Sequence, residues 1–534
     1  MKNNSDRKTV ALLLALSAVL LSIPWLVPHS GCVALFAFVP LLCAERLASY
    51  EKVPGFFLWY YASFVLWNSL TTFWIWNATA GGAVAAILIN SAFPAIIFAL
   101  FRLSRRHFKG ALPYIFLMVS WIAWERLYFS TQISWPWLTL GNAFARTTRL
   151  VQWYSVTGSL GGSLWIWLVN LGVFGLMTAL SDGSWRRWNS KARSAAAAGI
   201  LAIILAPAAI SLAMYKSHGE RSKGSRTVLL GQPNFDPYHK FESMTQDEQT
   251  SVLLSQYAGF APDLFVAPET FTSDVILSEV ESGRTWRRFL DFLQERDSSA
   301  VLFGASSWKI YPRRSRPSDY ARPYGQGWID SFNSALLLDA SGRTDICHKG
   351  KLVVGTELMP FPRVVGKIDD LLGGVCGRCV PSDKPTCLHM SDSTILGCAI
   401  CYESVYGEYC TEYVRGGAGF LTVITNDAWW GDTPGYVQHL SYSRLRAIEL
   451  RRDVARCANT GISAFIDQRG DIVSQTPWWE ACVLEGEVNL NDEVTPFVRY
   501  GDVTGRVCTL CFGLMMLSLL VRIVQRRSSR RLPE

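Results

Sequence analysis

Three polar residues of the 534-residue chain stand just beyond short apolar runs: Glu269 in DLFVAPETF, Lys349 in ICHKGKLVVGTE and Cys401 in STILGCAICYES. That is where an α/β sheet presents side chains to a ligand. A thiol is mostly protonated at neutral pH and needs a base or a cation to become a nucleophile. A carboxylate within hydrogen-bonding reach can take the proton, and an ammonium can stabilise the oxyanion that grows when sulfur attacks an acyl carbonyl. Glu269 and Lys349 fit those roles, with the backbone N–H of Tyr402 as a second oxyanion donor. Taken singly each has a plainer reading: a Glu after a strand caps or pairs, a Lys is solvated, and a Cys after a strand fills core. Together, in this order and with these flanks, they argue for one cysteine-centred site.

The elements that would position them alternate. Strands are expected at 227–231, 264–267, 300–304, 334–338, 394–400 and 420–425, and helices at 244–258, 281–296, 405–415 and 436–453. This alternation, after a polar Gly/Ser linker at 216–226, suits one α/β domain over 227–503.

Half of the chain is apolar and 21 residues are Trp, and the apolar residues crowd into 1–215 and a stretch near the C-terminus. A bilayer core about 30 Å thick needs roughly 20 apolar residues in helix. About eight segments qualify: 9–27, 30–44, 56–77, 80–101, 111–128, 163–180 and 195–215, then 506–523 before a basic tail at 524–534. The first is read as a signal anchor rather than a cleaved signal, because more apolar segments follow at once. The stretch 134–145 is too short to span and reads as interfacial. Asn170 and the Glu125–Arg126 pair are expected to pack between helices or to sit at an interface rather than to carry chemistry.

The net charge of +8 is not spread as a nucleic-acid surface would be. Lys2, Arg7 and Lys8 precede the first segment; Arg46 and Lys52 follow the second; Arg102, Arg105, Arg106 and Lys109 follow the fourth; Arg186, Arg187, Lys191 and Arg193 follow the sixth; Arg522, Arg526, Arg527, Arg530 and Arg531 follow the eighth. Every second loop is basic, which sets those loops in the cytoplasm and the α/β domain on the far side of the membrane.

The flanks APET, HKGKLVVGTE, CYES and TNDAWWG resemble the motifs of the nitrilase superfamily. The membrane segments, with AWERL and SWPWLTLGNA among them, resemble its apolipoprotein N-acyltransferase family, and the resemblance covers nearly the whole chain. It implies a multi-pass helical membrane region joined to an αββα sandwich domain, in a bacterial inner membrane with the catalytic domain periplasmic. It also implies Glu269 as general base, Lys349 as transition-state stabiliser, Cys401 as nucleophile and Glu357 as a second functional carboxylate. Tyr402, Glu403 and Trp429 match supporting positions. Two departures stand out. Val354-Gly355-Thr356 replaces the usual Pro-Phe-Gly before Glu357, and Phe241 stands where a functional Trp is usual, keeping an aromatic face but losing the N–H donor.

The implied reaction moves a fatty acyl group from a membrane phospholipid, through a Cys401 thioester, to the N-terminal amine of a diacylglyceryl-cysteine lipoprotein. An amide is more stable than the ester it replaces, so no nucleotide, metal or organic cofactor is expected. Burying an acyl chain gains about 0.8 kcal/mol per methylene, a reason for such a site to rest against the bilayer. The rivals are a membrane-anchored amidase hydrolysing small amides with the same triad, and a transporter or receptor with an inactive sensor domain. Seven crossings are excessive for a mere anchor, and nucleotide-binding, HExxH and GxSxG motifs are absent.

Of the thirteen cysteines, Cys376, Cys379 and Cys387 with His389 form C-x2-C-x7-C-x-H, a spacing that fits zinc. A disulfide within that loop plus one unpaired thiol is the preferred reading in an oxidising compartment. Cys398 is expected in the core, Cys508 and Cys511 in helix packing, and His439 in a structural role.

Overall fold

The computed structural model describes residues 2–236, 243–296, 299–312, 315–371 and 376–529. They fall into two compact units: Met1–Thr131 with Trp135–Ser217 and Asp502–Glu534, and Gln132–Ser134 with His218–Gly501.

The first unit is helical. Its main helices are α1 (Lys2–Leu26), α2 (Val39–Tyr50), α3 (Phe56–Thr72), α4 (Ala80–Ser104), α5 (Leu112–Tyr128), α6 (Ser159–Ser181) and α7 (Ser190–Ser217), joined by the C-terminal helix Val503–Ser529. Six stretches among the described residues are long and apolar enough to cross a membrane: Ser5–Leu26, Gly31–Tyr50, Ala80–Ser104, Ser159–Ser181, Ser190–Ser217 and Val503–Ser528. The helices α3 and α5 are 17 residues each.

The second apolar segment departs from expectation. It begins as a 3-10 turn, Gly31–Leu35, and becomes α-helical only at Val39. Asn170 explains the late start, because its Oδ1 accepts from the backbone N of Phe38 at 2.7 Å and of Val39 at 3.1 Å. Its Nδ2 donates to the carbonyl of Ala34 at 2.9 Å, so one buried amide joins α6 to the end of the turn and the start of α2. The segment 134–145 folds into short turns rather than one helix. It forms 3-10 turns at Pro136–Leu138 and Leu140–Phe144, and most of its residues are buried. A Cβ at Gly141 would stand 1.8 Å from the carbonyl oxygen of Ser159, so this turn packs backbone to backbone against α6.

The second unit is a four-layer sandwich. An eight-stranded sheet has the order β14-β1-β2-β4-β6-β5, with β3 on β4 and β7 on β6. Its strands are β1 (Ser225–Gln232), β2 (Leu264–Val266), β3 (Thr272–Ile276), β4 (Ala300–Tyr311), β5 (Arg322–Tyr324), β6 (Gly327–Asp339), β7 (Thr344–His348) and β14 (Cys482–Asn489). The second sheet runs β13-β12-β11-β10-β9-β8, from β8 (Cys387–His389), β9 (Ile395–Ile400), β10 (Phe420–Thr425), β11 (Val454–Ala458), β12 (Ala464–Ile466) and β13 (Ile472–Gln475). The strands β9, β10 and β11 are parallel and buried on both faces, as their continuous apolar runs require.

One core cluster joins the first sheet to α8 (Gln246–Tyr257) and α9 (Arg284–Gln294) through residues such as Tyr257, Phe265, Phe289 and Phe303. The other joins the second sheet to α11 (Gly407–Arg415) and α12 (Pro434–Leu450), following α10 (Pro362–Leu371) in the chain. The sheets meet face to face: the thiol of Cys457 on β11 donates to the carbonyls of Gly231 and Val266 on β1 and β2, each at 3.3 Å.

Candidate active site

Both sheets contribute to one buried polar cluster, and each side chain reaches it because its strand has just ended. Glu269 follows β2, where the chain turns sharply enough that Thr270 has a φ of +46°. A Cβ on the facing Gly304 of β4 would stand 2.6 Å from the Cα of Glu269, the O of Pro268 and the N of Thr270. Only glycine admits the turn so close to the sheet.

Lys349 follows β7 and anchors its own backbone N on the carbonyl of Asn333, at 2.8 Å. Its Nζ lies 2.9 Å from Oε1 of Glu269 and 2.9 Å from Oε1 of Glu357. Asn333, from the interior of β6, donates its Nδ2 to the same two oxygens, each at 2.8 Å. The remaining oxygens are held as well: Oε2 of Glu269 accepts from the N of Asn426 at 3.2 Å, and Oε2 of Glu357 from the N of Val353 at 2.8 Å. Burial alone would pull the Lys349 ammonium down. The Glu269 and Glu357 carboxylates outweigh it and hold the ammonium well above its ordinary range.

Cys401 ends β9 in the second sheet and opens a 3-10 turn, Cys401–Val405. Its φ is +51°, in the left-handed region that a side chain seldom adopts. Burial pushes its thiol well above the ordinary range; the Glu269 carboxylate adds to the push, and the Lys349 ammonium opposes it. Both burial and the Glu269 carboxylate thus favour the protonated thiol over the thiolate.

Glu403 is a brace, and it is almost wholly buried. Its Oε1 accepts from the N of Gly350 at 2.7 Å and from the hydroxyl of Tyr409 at 2.6 Å, while Oε2 accepts from the N of Ile400 at 2.8 Å. One carboxylate thus ties the residue after Lys349, from one sheet, to the residue before Cys401, from the other. Burial raises its pKa, against the pull of these donors. The hydroxyl of Tyr402 donates to the carbonyl of Ser134 at 3.1 Å. Trp429 lies in the turn Asp427–Trp430 and is 40 % exposed. Phe241 lies outside the described residues.

Beneath Cys401 lies a second polar cluster. His439 on α12 places Nε2 3.1 Å from the carbonyl oxygen of Cys401 and Nδ1 2.9 Å from Oδ1 of Asp427. The Ser404 hydroxyl donates to the same carbonyl at 2.7 Å, and Arg456 pairs with Asp427. The structural reading of His439 thus acquires a specific object, the backbone of Cys401. Sequence reasoning missed Asn333, Asn426, Asp427 and Ser404. An asparagine inside the otherwise apolar NSALLL run, where strands disfavour it, was the available signal for Asn333.

The cysteine loop does not gather into a ligand set. The Cys387 thiol donates to the carbonyl of Tyr413 at 3.3 Å, and His389 Nδ1 lies 3.0 Å from Oδ2 of Asp345. Among the described residues no cluster of three His, Cys, Asp or Glu side chains could hold a metal. The expected loop disulfide is not formed: all thirteen cysteines are thiols in this structure. Cys376 and Cys379 are instead fastened through their backbone N–H groups, to Oδ1 of Asp369 at 2.8 Å and to the carbonyl of Glu357 at 2.9 Å.

Residues 17–172 match the Apolipoprotein N-acyltransferase N-terminal domain, and residues 181–494 match the Carbon-nitrogen hydrolase family. The apolipoprotein N-acyltransferase of Chlorobaculum tepidum is 28 % identical over 95 % of this chain and 96 % of its own. That of Geobacter metallireducens is 29 % identical over 93 % and 92 %. Among solved structures, Saccharomyces cerevisiae Nit3, a member of branch 10 of the nitrilase superfamily, is 16 % identical over 51 % of this chain and 93 % of its own, with a TM-score of 0.36. With its Glu269, Lys349 and Cys401 at the ends of strands drawn from two facing sheets, and with more than half of its length matched, the chain belongs to the carbon-nitrogen hydrolase family.

Proposed function

We propose that the protein transfers a fatty acyl group from a membrane phospholipid to the N-terminal amine of a diacylglyceryl-cysteine lipoprotein, with Cys401 as the carrier. The observation that carries this reading is the buried ammonium of Lys349 bridging Glu269 and Glu357 beside the cysteine, in a chain matched along nearly its whole length by apolipoprotein N-acyltransferases. The protein is a multi-pass protein of a bacterial inner membrane, and its alternating basic loops set residues 227–503 outside the cytoplasm.

Glu269 takes the proton of the Cys401 thiol as sulfur attacks the ester carbonyl, and the negative charge that develops on oxygen falls to Lys349 and the backbone N–H of Tyr402. The carbon–oxygen bond breaks, and the proton on Glu269 passes to the departing alkoxide to give a lysophospholipid. Sulfur keeps the acyl group as a thioester. The free amine of the acceptor then attacks, the carbon–sulfur bond breaks, and Glu269 returns the amine's proton to sulfur. Glu357 and Asn333 hold Lys349 and Glu269 in register, and Glu403 fixes the Cys401 turn. Trp429 and the position of Phe241 are assigned to substrate contact.

Intact mass of the protein after exposure to a defined phospholipid tests the scheme. An added acyl mass on the wild type and none on Cys401→Ser is expected. An acyl adduct that persists on Cys401→Ser overturns the nucleophile. Adding an N-terminal lipopeptide separates the two chemistries: lysophospholipid with acylated peptide supports transfer, whereas turnover of a simple amide to acid and ammonia with no transfer supports the amidase.

A further inference from the structure

Three helices of the membrane unit end around a cavity of about 670 Å³. Its wall is built from the last turns of α2 and α6 and from Arg105, the residue that caps α4. Ligand pockets commonly measure about 300–1,000 Å³, so a molecule the size of a lipid headgroup fits. The basic runs identify the side of the membrane. Arg46 and Lys52 at the end of α2, the run 102–109 at the end of α4 and the run 186–193 beyond α6 all mark the cytoplasmic end of the bundle.

The wall carries more positive charge than its acids cancel. Arg46 and Arg105 line the cavity, and no Asp or Glu does among the described residues. The nearby Glu45 is buried behind it and fully engaged: its Oε1 accepts from the hydroxyl of Ser49 at 2.7 Å and lies 3.4 Å from Nε of Arg102, and its Oε2 pairs with Arg105. Two guanidinium groups thus share one carboxylate. Arg46 is half-buried, forms no ion pair among the described residues, and reaches only the hydroxyl of Ser181, at 3.4 Å. Asp182, just past α6, feels its charge but gives Oδ1 to the backbone N of Ser184, at 2.9 Å. A half-buried guanidinium without a carboxylate calls for an anion.

The surroundings narrow the choice further. The C-terminal ends of three helices carry partial negative charge, which alone would turn an anion away, so the arginines are what admits one. Among the described lining residues no carboxylate is present to hold an amine, so a ligand with an ammonium gains nothing there. Exposed Tyr50 at the end of α2 and exposed Trp188 beyond α6 mark the level of the headgroups. Met177 lines the cavity and is itself exposed, and Leu180, also exposed, follows it by three residues on the same face of α6. The cavity thus opens where acyl chains run, with its cations at headgroup depth. Basic pockets between membrane helices on the cytoplasmic side suit phosphate headgroups.

We propose that this cavity holds the phosphate of an anionic phospholipid of the cytoplasmic leaflet, with Arg46 and Arg105 as its donors and Met177 against its acyl chains. The site uses none of Glu269, Lys349 and Cys401, and it does not rest on which lipid donates the acyl group.

Native mass spectrometry of the delipidated, detergent-solubilised full-length protein tests it, counting non-covalent adducts of phosphatidylglycerol, phosphatidylethanolamine and soluble glycerol 3-phosphate. Phosphatidylglycerol should be retained over phosphatidylethanolamine, and Arg46→Gln should weaken that retention about fivefold. Thr178→Phe fills the cavity and keeps every charge, so it should weaken retention as well. Lys52→Gln removes an exposed cation outside the wall and should leave retention as it was. Equal retention of the two lipids, or retention unchanged in both Arg46→Gln and Thr178→Phe, overturns the proposal. A loss in Lys52→Gln equal to that in Arg46→Gln overturns the cavity in favour of the diffuse field of the basic loops. Glycerol 3-phosphate binding as tightly as the lipid overturns the membrane as the source. Covalent acyl adduct on Cys401, which has a different mass, reports the catalytic reading separately.

Discussion

The imidazole of His439 holds the main-chain carbonyl of Cys401, with Nε2 3.1 Å from that oxygen. A non-glycine residue in the left-handed region costs on the order of 1–3 kcal/mol, and Cys401 stays there because its surroundings over-determine it. His439 is fixed in turn by Asp427, whose carboxyl is kept below its ordinary range against the effect of burial by Arg456 and His439. His439→Ala frees the Cys401 backbone to relax, and kcat is expected to fall roughly 100-fold, the scale of a misplaced reacting atom. The pH profile of Cys401 alkylation distinguishes a displaced nucleophile from general loosening. Wild-type alkylation and transfer in the variant would falsify the bracing role.

Asn333 presents one amide to two carboxylates. Asn333→Ala leaves Lys349 as the one side chain bridging Glu269 and Glu357 among the described residues, and kcat/KM is expected to drop about 10- to 100-fold while the fold persists. Asn333→Asp places a third carboxylate in the cluster and should be worse than alanine. Steady-state kinetics with a fluorescent lipopeptide acceptor ranks the two, and the reverse order counts against a shared amide clamp.

Lys349 is buried between two acids, so its removal carries a stability cost as well as a catalytic one. Lys349→Met leaves the buried Glu269 carboxylate facing the half-buried Glu357 with no cation between them, which is expected to destabilise the domain by about 3–5 kcal/mol. Pairing it with Glu357→Gln should recover part of the thermal midpoint but none of the activity. A double variant no more stable than Lys349→Met would argue against that pairing.

Gly304→Ala adds a single methyl whose three nearest neighbours are all backbone atoms of the Glu269 turn, at 2.6 Å. No side chain can rotate away to admit it, so the turn must move. The loss should fall on kcat, about 100-fold for a shift near 1 Å, with KM little changed. Pre-steady-state measurement of thioester formation locates the defect in the first half-reaction.

Asp453 tests the electrostatics of the fold away from the chemistry. Burial raises its pKa to about 6, although the backbone and side-chain N–H groups of Asn489 both donate to it. A carboxyl with a raised folded-state pKa favours the fold below its unfolded value and loses that contribution as pH rises through the folded one. Asp453→Asn should therefore gain on the order of 3 kcal/mol at pH 7 and nothing near pH 3.5, read as the wild-type-to-variant difference in thermal midpoint. A gain that does not vary with pH would assign the effect to packing.

Local signals sufficed for much of the architecture. The run FLTVIT gives β10 because six consecutive apolar or β-branched residues bury both faces of a parallel strand. Runs such as AAILINSAFPAIIFALF yield a membrane helix because their apolar length matches a bilayer. Glu269, Lys349 and Cys401 stood out because a polar residue directly after an apolar strand is a local feature. The late start of α2 was not legible, since it depends on the amide of Asn170, more than 130 residues away.

The linear sequence thus determined the strands β1, β2, β4, β6, β9 and β10, the main helices of the α/β unit and the long apolar helices, and which residue types could do chemistry, because each follows from patterns a few residues long. Only the tertiary structure decided that Asn333 would join Glu269 to Glu357, that Glu403 would fasten two sheets together, and that His439 would lie under Cys401. Those partners are between 24 and 64 residues apart in the asparagine contacts and 53 in the Glu403–Gly350 contact. Such separations carry no local periodicity. They are set by which strands lie side by side, and by the need of each buried polar atom to find a partner once water has been excluded.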